Sequence, residues 1–193
     1  KNSRKYLEEV LLALKDFDEI LVCDTGSSDD TMVIARRFPN VVLHERPFKG
    51  FGSTHNTASE LAKHDWILSI DSDEVPSKEL VDEIRSLKLN HGTVYSIPRH
   101  NEYNGKWIRW CGWHPDRQFR LYNRKETKFS DAQVHEAIET GHMHHVELRN
   151  SLKHYSYDEV SDFIQKMQSY SSLFALQYQG KKSSSLTKAI AHA

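Results

Sequence analysis

Little in this sequence is extreme, and what it lacks narrows the field. No apolar run is long enough to span a bilayer, and no stretch reads as a signal peptide. Only two cysteines occur in 193 residues, Cys23 and Cys111, and they lie far apart. That excludes a disulfide-stapled scaffold and points to reduced thiols in a cytoplasmic protein. A formal net charge of −1 provides no global attraction to nucleic acid or anionic lipid, so nucleic acid is not an expected partner. Internal repeats are also missing. What remains, 38% hydrophobic and 27% charged residues, suffices for one domain with a real core. With twelve histidines in the chain, a histidine alone is weak evidence of function.

The first half alternates helix and strand. Tyr6, Val10, Leu11 and Leu14 have helical spacing, and Glu19-Ile20-Leu21-Val22-Cys23 reads as a buried strand. Asp29 is placed to cap a helix through Ile34 and Phe38, which Pro39-Asn40 stops. Val41-Val42-Leu43 is a second strand, and Ser53 or Thr54 opens a helix through Leu61. A third strand covers Trp66 to Ile70, and Pro76-Ser77 starts a helix carrying Leu80, Ile84 and Leu87. This alternation predicts an α/β fold with a mostly parallel central sheet flanked by helices.

The rhythm changes after Asn90. Thr93 to Ile97 and Gln118 to Tyr122 read as strands, and Asn104-Gly105 signals a type I′ hairpin. Ser156-Tyr157-Asp158-Glu159 reads as a capping box for a late helix striped by Val160, Phe163, Ile164, Met167, Leu173 and Phe174, with core packing the expected role of that stripe. Gly180 ends it, a polar linker follows, and the last residues resemble a helix cut short. Three regions result: 1–90 as an α/β half, 91–155 as mixed or antiparallel strands and loops added to the same domain, and 156–193 as a C-terminal helical segment.

The chemistry gathers at strand ends. Asp71-Ser72-Asp73-Glu74 follows an apolar strand, where open α/β sheets bind ligands. Carboxylates this close repel unless a cation shares them, and hard oxygen ligands suit Mn2+ or Mg2+, commonly bound together with substrate phosphates. The plain alternative is a solvated loop with helix-capping acids. Asp24-Thr25-Gly26-Ser27-Ser28-Asp29-Asp30-Thr31 also follows a strand and ends as a helix begins. Its glycine permits a tight turn, its hydroxyls and helix start suit an anion or a ribose, and Asp24 can accept from a base N–H. Two acidic loops after two strands of one sheet should meet at one edge. Arg117 and Arg120 could steady a diphosphate, or Arg120 could pair with an internal acid. Trp107, Trp110 and Trp113 suit stacking on sugars, a membrane interface or simple hairpin packing.

In this order, Cys23 to Thr31, Asp71-Ser72-Asp73, Gln118-Phe119-Arg120-Leu121 and Val134-His135-Glu136 resemble glycosyltransferase family 2, enzymes of the GT-A fold that use nucleotide-diphosphate sugars. Trp113 to Tyr122 and Lys153-His154-Tyr155-Ser156-Tyr157 resemble its bacterial branch acting on the lipopolysaccharide inner core. The resemblance implies that Asp24 contacts the nucleotide base with Asp29 nearby, and that Asp71 sits near the ribose or the metal's water shell. It implies Asp73 as ligand to Mn2+ or Mg2+, with His154 as an extra ligand. Glu136 matches the catalytic base, with Asp116 in reserve.

The expected reaction is metal-dependent, inverting transfer from a UDP-hexose to a saccharide or lipid-linked saccharide. The expected setting is cytoplasmic, with peripheral contact to the inner membrane through a C-terminal tail. Family members begin with a strand before the Lys1 position and continue past the Ala193 position, so the resemblance implies a chain trimmed at both ends, with an exposed sheet edge. Two rivals stand. Asp71-Ser72-Asp73-Glu74-Val75 fits the motif of haloacid-dehalogenase-like phosphatases, although at least two strands precede it. A catalytically inactive sugar- or nucleotide-binding domain of the same fold is the other.

Overall fold

The computed structural model describes residues 1–131 and 136–180. The chain runs α1 (Leu7–Ala13), β1 (Ile20–Asp24), α2 (Thr31–Ala35), β2 (Val41–Glu45), α3 (Phe51–Leu61), β3 (Trp66–Leu68), β4 (Glu74–Pro76) and α4 (Lys78–Ser86). It continues through β5 (Thr93–Tyr103), β6 (Lys106–Trp107), β7 (Arg117–Asn123), β8 (His144–Glu147), β9 (Leu152–Tyr157) and α5 (Val160–Tyr178).

Local chemistry accounts for most boundaries. Asp29 accepts from the Thr31 backbone N–H, which fixes the start of α2, although Asp30 occupies the capping position itself. Ser77 caps α4 by accepting from the Leu80 N–H. Asn104 and Gly105 adopt φ of 47° and 70°, the left-handed pair that a type I′ turn requires. α3 begins at Phe51, two residues before the expected Ser53, because Gly50 with φ of 110° turns the chain into it.

The sheet pairing is more mixed than the sequence rhythm suggests. β1 pairs parallel with β2, and β5 pairs parallel with β8 and β9. The β3–β7, β4–β9, β5–β6 and β5–β7 pairs are antiparallel. β3, from the first half, thus takes its hydrogen-bonded neighbour from the second. Among the described residues β1 pairs only with β2 and β3 only with β7, so each has an open edge and is only half-buried through its middle.

β5 organises the core. Its residues alternate between two faces. Tyr95 and Ile97 pack with Leu80 and Ile84 of α4, while Val94 packs with Tyr122 and Phe129. A separate cluster of Leu7, Val10, Leu11, Ile20, Ile34 and Val75 ties α1 and α2 to β1 and β4.

Two expectations for the C-terminal part are corrected. α5 is capped by Glu159 and Asp162, whereas Ser156 belongs to β9 and turns its hydroxyl toward Asn101. The apolar stripe of α5 is not core: Val160, Ile164 and Met167 are 60%, 52% and 52% exposed. Helical spacing reveals that a face is apolar but not what covers it. Gly180 has φ of 73°, the left-handed value expected past a helix end. The linker and short helix expected beyond it, with Val134 and His135, lie outside the described residues.

Candidate active site

Three strands lay a row of polar side chains on one face. In register, Glu74 of β4 stands opposite His154 of β9, and His154 opposite Asn101 of β5. Directly paired residues share a face. Arg99, two residues before Asn101, shares it too. Arg120 of β7 reaches the same place, its Nη2 2.5 Å from Glu74 Oε1 and 2.7 Å from Asp71 Oδ2. Arg99 links Glu74, at 3.1 Å, to Asp116, at 2.8 Å.

The acidic turn hangs over this row. Glu74 N–H donates to the Asp71 carbonyl, and Asp71 N–H donates to Glu74 Oε2, closing a tight turn right after β3. This turn lets Asp71 and Asp73 face one site despite the alternation of an extended strand. Asp73 Oδ2 lies 3.8 Å from His154 Nε2, and Asp71 Oδ1 lies 3.6 Å from His55 Nε2. His55 stacks on Phe129 and is joined through Nδ1 to the Ser69 hydroxyl at 3.0 Å.

The second acidic loop is self-contained. Asp24 is buried, accepts from the backbone N–H groups of Gly26 and Ser27 at 2.9 and 2.8 Å, and also takes the Ser27 hydroxyl. Asn2 and Ser3 tie the two loops together. Asn2 N–H donates to Ser27 Oγ, Ser3 N–H donates to Thr31 Oγ1, and the Ser3 and Ser72 hydroxyls lie 2.8 Å apart. The two loops do not follow strands of one sheet as expected, since β1 pairs with β2 and β3 with β7 in a separate sheet; Asn2 and Ser3, which the sequence did not flag, link them instead.

Charge is distributed unevenly across the site. Burial acts against the Asp71 carboxylate, but Arg120 and His55 outweigh it and hold its pKa below the usual range. Asp73 is opposed only by the more distant Lys166 cation. Burial, then the neighbouring Asp71 and Glu74, push its pKa up to about 6. His154 moves the other way, down to about 3, through burial and the nearby Arg99 and Lys166 cations. Its ring is therefore uncharged at neutral pH. Asp116 is held low against its burial by donors from Asn101, Gln118 and Arg99.

Among the described residues, no three His, Cys, Asp or Glu side chains stand together at metal-holding spacing. The pair Asp73 and His154 does offer a hard oxygen and an uncharged imidazole nitrogen on one side of the site. Asp71, Asp73, Glu74 and Asp116 face Arg99, Arg120 and Lys166, so negative charge is in excess. Such a set fits a cation whose coordination is completed by substrate phosphates and water, as is usual for Mg2+.

Other expected site residues lie elsewhere. Arg117 points away from Asp73, donating to the Leu148 carbonyl at 2.6 Å and to Ser96. Three positions from Arg120 on a strand, it belongs to the opposite face. Glu136 lies beside α3, its Cβ 3.5 Å from where a side chain on Gly52 would begin. One turn along the same helix is His55, the partner of Asp71. Of the tryptophans, Trp107 stacks on His100 at 3.8 Å under the Arg109 guanidinium, and Trp113 contacts Tyr157. Trp110 is 74% exposed. Sequence reading missed His55, Arg99, Asn101 and Glu74 as site residues. Only Glu74, next to the acidic pair, carried any local signal. Among the described residues no helix is long and apolar enough to cross a membrane.

Known proteins resemble this chain in sequence and in fold. The model of a family described as glycosyl transferase family 2 matches residues 1–151. An uncharacterized glycosyltransferase of Rickettsia typhi is 30% identical over 197 residues, covering 94% of this chain and 67% of that protein. Among solved structures, S. aureus TarS 1–349 superposes with a TM-score of 0.56 at 18% identity, over 90% of this chain and 63% of that one. TarS 1–349 in complex with UDP-GlcNAc gives 0.51 at 18% identity, over 90% and 64%. The chain thus spans less than two thirds of the TarS structures, and at such identity the likeness is one of fold, here the GT-A fold. On the family match, over most of its length, the chain belongs to glycosyltransferase family 2.

Proposed function

We propose that this chain carries the donor site of a metal-dependent, inverting transferase that moves a hexose from a UDP-sugar to a saccharide of the lipopolysaccharide core. The observation that carries the reading is the pair Asp73 and His154 beside Asp71, in a site with unneutralised negative charge. A nucleotide-sugar donor is supported by family membership and by the TarS relative, whose structure holds UDP-GlcNAc. The core acceptor rests on the resemblance of Trp113 to Tyr122 and Lys153 to Tyr157 to that branch.

Each residue has a role in this reading. Asp73 and His154 would hold Mn2+ or Mg2+ beside the donor's diphosphate. Bound there, the ion supplies Lewis-acid stabilisation of the departing diphosphate. Arg120 keeps Asp71 ionised and fixed, so that Asp71 orients the ribose or a metal-bound water. Asp24 meets the base and Asp29 holds the loop that frames it. Glu136 takes the proton of the acceptor hydroxyl as its oxygen attacks the anomeric carbon. Asp116 is the weaker candidate, because its donors favour the carboxylate and lower its basicity. The acceptor would lie on the cytoplasmic face of the inner membrane, approached by a peripherally bound enzyme.

The phosphatase reading requires Asp71 as nucleophile. That carboxylate is instead pinned by Arg120 and flanked by His55. Calorimetric titration of UDP with and without Mn2+, repeated on Asp73→Ala, tests the proposal. Binding that needs both the ion and Asp73 is expected. UDP binding indifferent to both would overturn the metal role, and a wild-type protein that binds no UDP would overturn the donor assignment.

A further inference from the structure

Asn101 is buried near the C-terminal end of β5, and its side-chain amide touches both His154 and Asp116. The two ends of an amide differ: the nitrogen only donates and the oxygen only accepts. Asn101 Nδ2 lies 2.7 Å from Asp116 Oδ2 and 3.3 Å from the Trp113 carbonyl oxygen. Both partners are acceptors. The carbonyl has no proton to give, and Asp116 is kept ionised by its donors. Turning the amide round would set oxygen against oxygen at two partly buried contacts, which is costly.

The orientation of Asn101 is therefore forced, and Oδ1 faces the other way. It lies 2.7 Å from His154 Nδ1 and 3.2 Å from the Ser156 hydroxyl. An acceptor at that distance requires a proton on His154 Nδ1. Nε2 meets Asp73 Oδ2 only at 3.8 Å, beyond hydrogen-bond reach, so the one proton of the neutral ring sits on Nδ1 and Nε2 keeps its lone pair. The Ser156 hydroxyl, 3.0 Å from Nδ1, has a proton to donate to Oδ1 and a lone pair to spare for Nδ1–H. It follows the amide and does not oppose it.

We infer that Asn101 is a positioning residue that fixes His154 as the Nδ1–H tautomer, presenting a bare Nε2 toward Asp73. Its use as a ligand nitrogen rests on the metal-dependent reading above, since a ligating nitrogen must be unprotonated. The other tautomer would aim an N–H at the same spot and repel a cation. The same amide also holds Asp116, so one residue couples the orientation of His154 to the Asp116–Arg99 pair. No local sequence pattern marks it: the connection exists only because β5 and β9 pair with Asn101 opposite His154.

Side-chain nitrogen NMR of histidine-labelled protein, metal-free and near neutral pH, tests the inference, with His154→Gln used to assign the signal. An unprotonated Nε2 and a protonated Nδ1 are expected. A protonated Nε2, alone or with Nδ1, overturns it. In Asn101→Leu the tautomer preference should be lost, and Mn2+ affinity in the presence of UDP should fall roughly 10–100-fold. An Asn101→Leu protein that keeps both overturns the role. Ser156→Ala, which leaves the amide in place, should retain the wild-type tautomer; loss of the preference there assigns the effect to Ser156 instead. A wild-type protein with the expected tautomer that binds no Mn2+ with UDP upholds the tautomer assignment and overturns the metal reading.

Discussion

Arg120 and Glu74 form a buried ion pair at the base of the site, with Nη2 2.5 Å from Oε1 and Glu74 wholly shielded from solvent. Everything above it depends on this pair, because Arg120 also holds Asp71, and Glu74 also holds Arg99 and closes the acidic turn. Removing one partner of such a pair leaves the other charge buried without compensation, which typically costs about 3–5 kcal/mol. Arg120→Met should therefore destabilise the fold by that order in urea denaturation. Arg120→Lys keeps the charge, but its shorter stem brings the ammonium less far toward the point where Nη2 meets both carboxylates, and it should fall between. A change under about 1 kcal/mol in Arg120→Met, the scale of an exposed pair, would contradict the central place given to it.

Asp73 should trade stability for function. Its carboxyl titrates near 3.8 when unfolded and near 6 in the folded protein. Below the lower value the group is protonated in both states and has no effect. As pH rises toward 6, folding becomes less favourable, and above 6 the repulsion is a constant cost. Asp73→Asn should therefore match wild type in acid and exceed it at neutral pH by about 1–2 kcal/mol, a value reduced for partial exposure. Thermal melts across pH would check this. Added Mn2+ with UDP should stabilise wild type and leave the variant unmoved.

Glu136 and Asp116 separate on replacement by their amides. Glu136→Gln should lower kcat by about 10²–10⁴, the range for loss of a general base, with little change in donor binding. Asp116→Asn should instead weaken the fold, because it loosens Arg99 and places an amide against Asn101 Nδ2. Near-normal turnover in Glu136→Gln beside a large kcat loss in a folded Asp116→Asn would reverse the assignment.

Gly52 sits in α3 where a Cβ would lie 2.0 Å from the Ser130 carbonyl oxygen, too close for any side chain. Gly52→Ala should push Ser130 and Glu136 off the helix and cost about 1–3 kcal/mol, the usual range for overpacking. The same shift moves Glu136, so turnover should fall more than stability alone explains. Melting temperature and kcat measured on one preparation would separate the two effects.

The short strand β4, read as loop and helix start, was not legible, but the sequence by itself determined the alternation of helices and strands through β3, the helix α4, the Asn104-Gly105 turn and the two acidic loops. These are local matters: side-chain periodicity, capping and backbone preference act within a few residues. It also carried enough of the motif order to suggest the family. The identities of Asp71 and Asp73 were legible because like charges in a short turn demand an explanation.

Only the tertiary structure decided what each acid meets. Arg120 and Arg117 look equivalent in the sequence, yet strand alternation sends one to Asp71 and Glu74 and the other to Leu148 and Ser96. Asn101, Arg99 and His55 have no pattern of their own and become site residues through strand register and a helix turn. The stripe on α5 was legible as apolar and misread as core, because periodicity reports which side chains share a face and not what lies against it. Partners drawn from separate strands meet only when the whole sheet forms, and no local rule encodes that meeting.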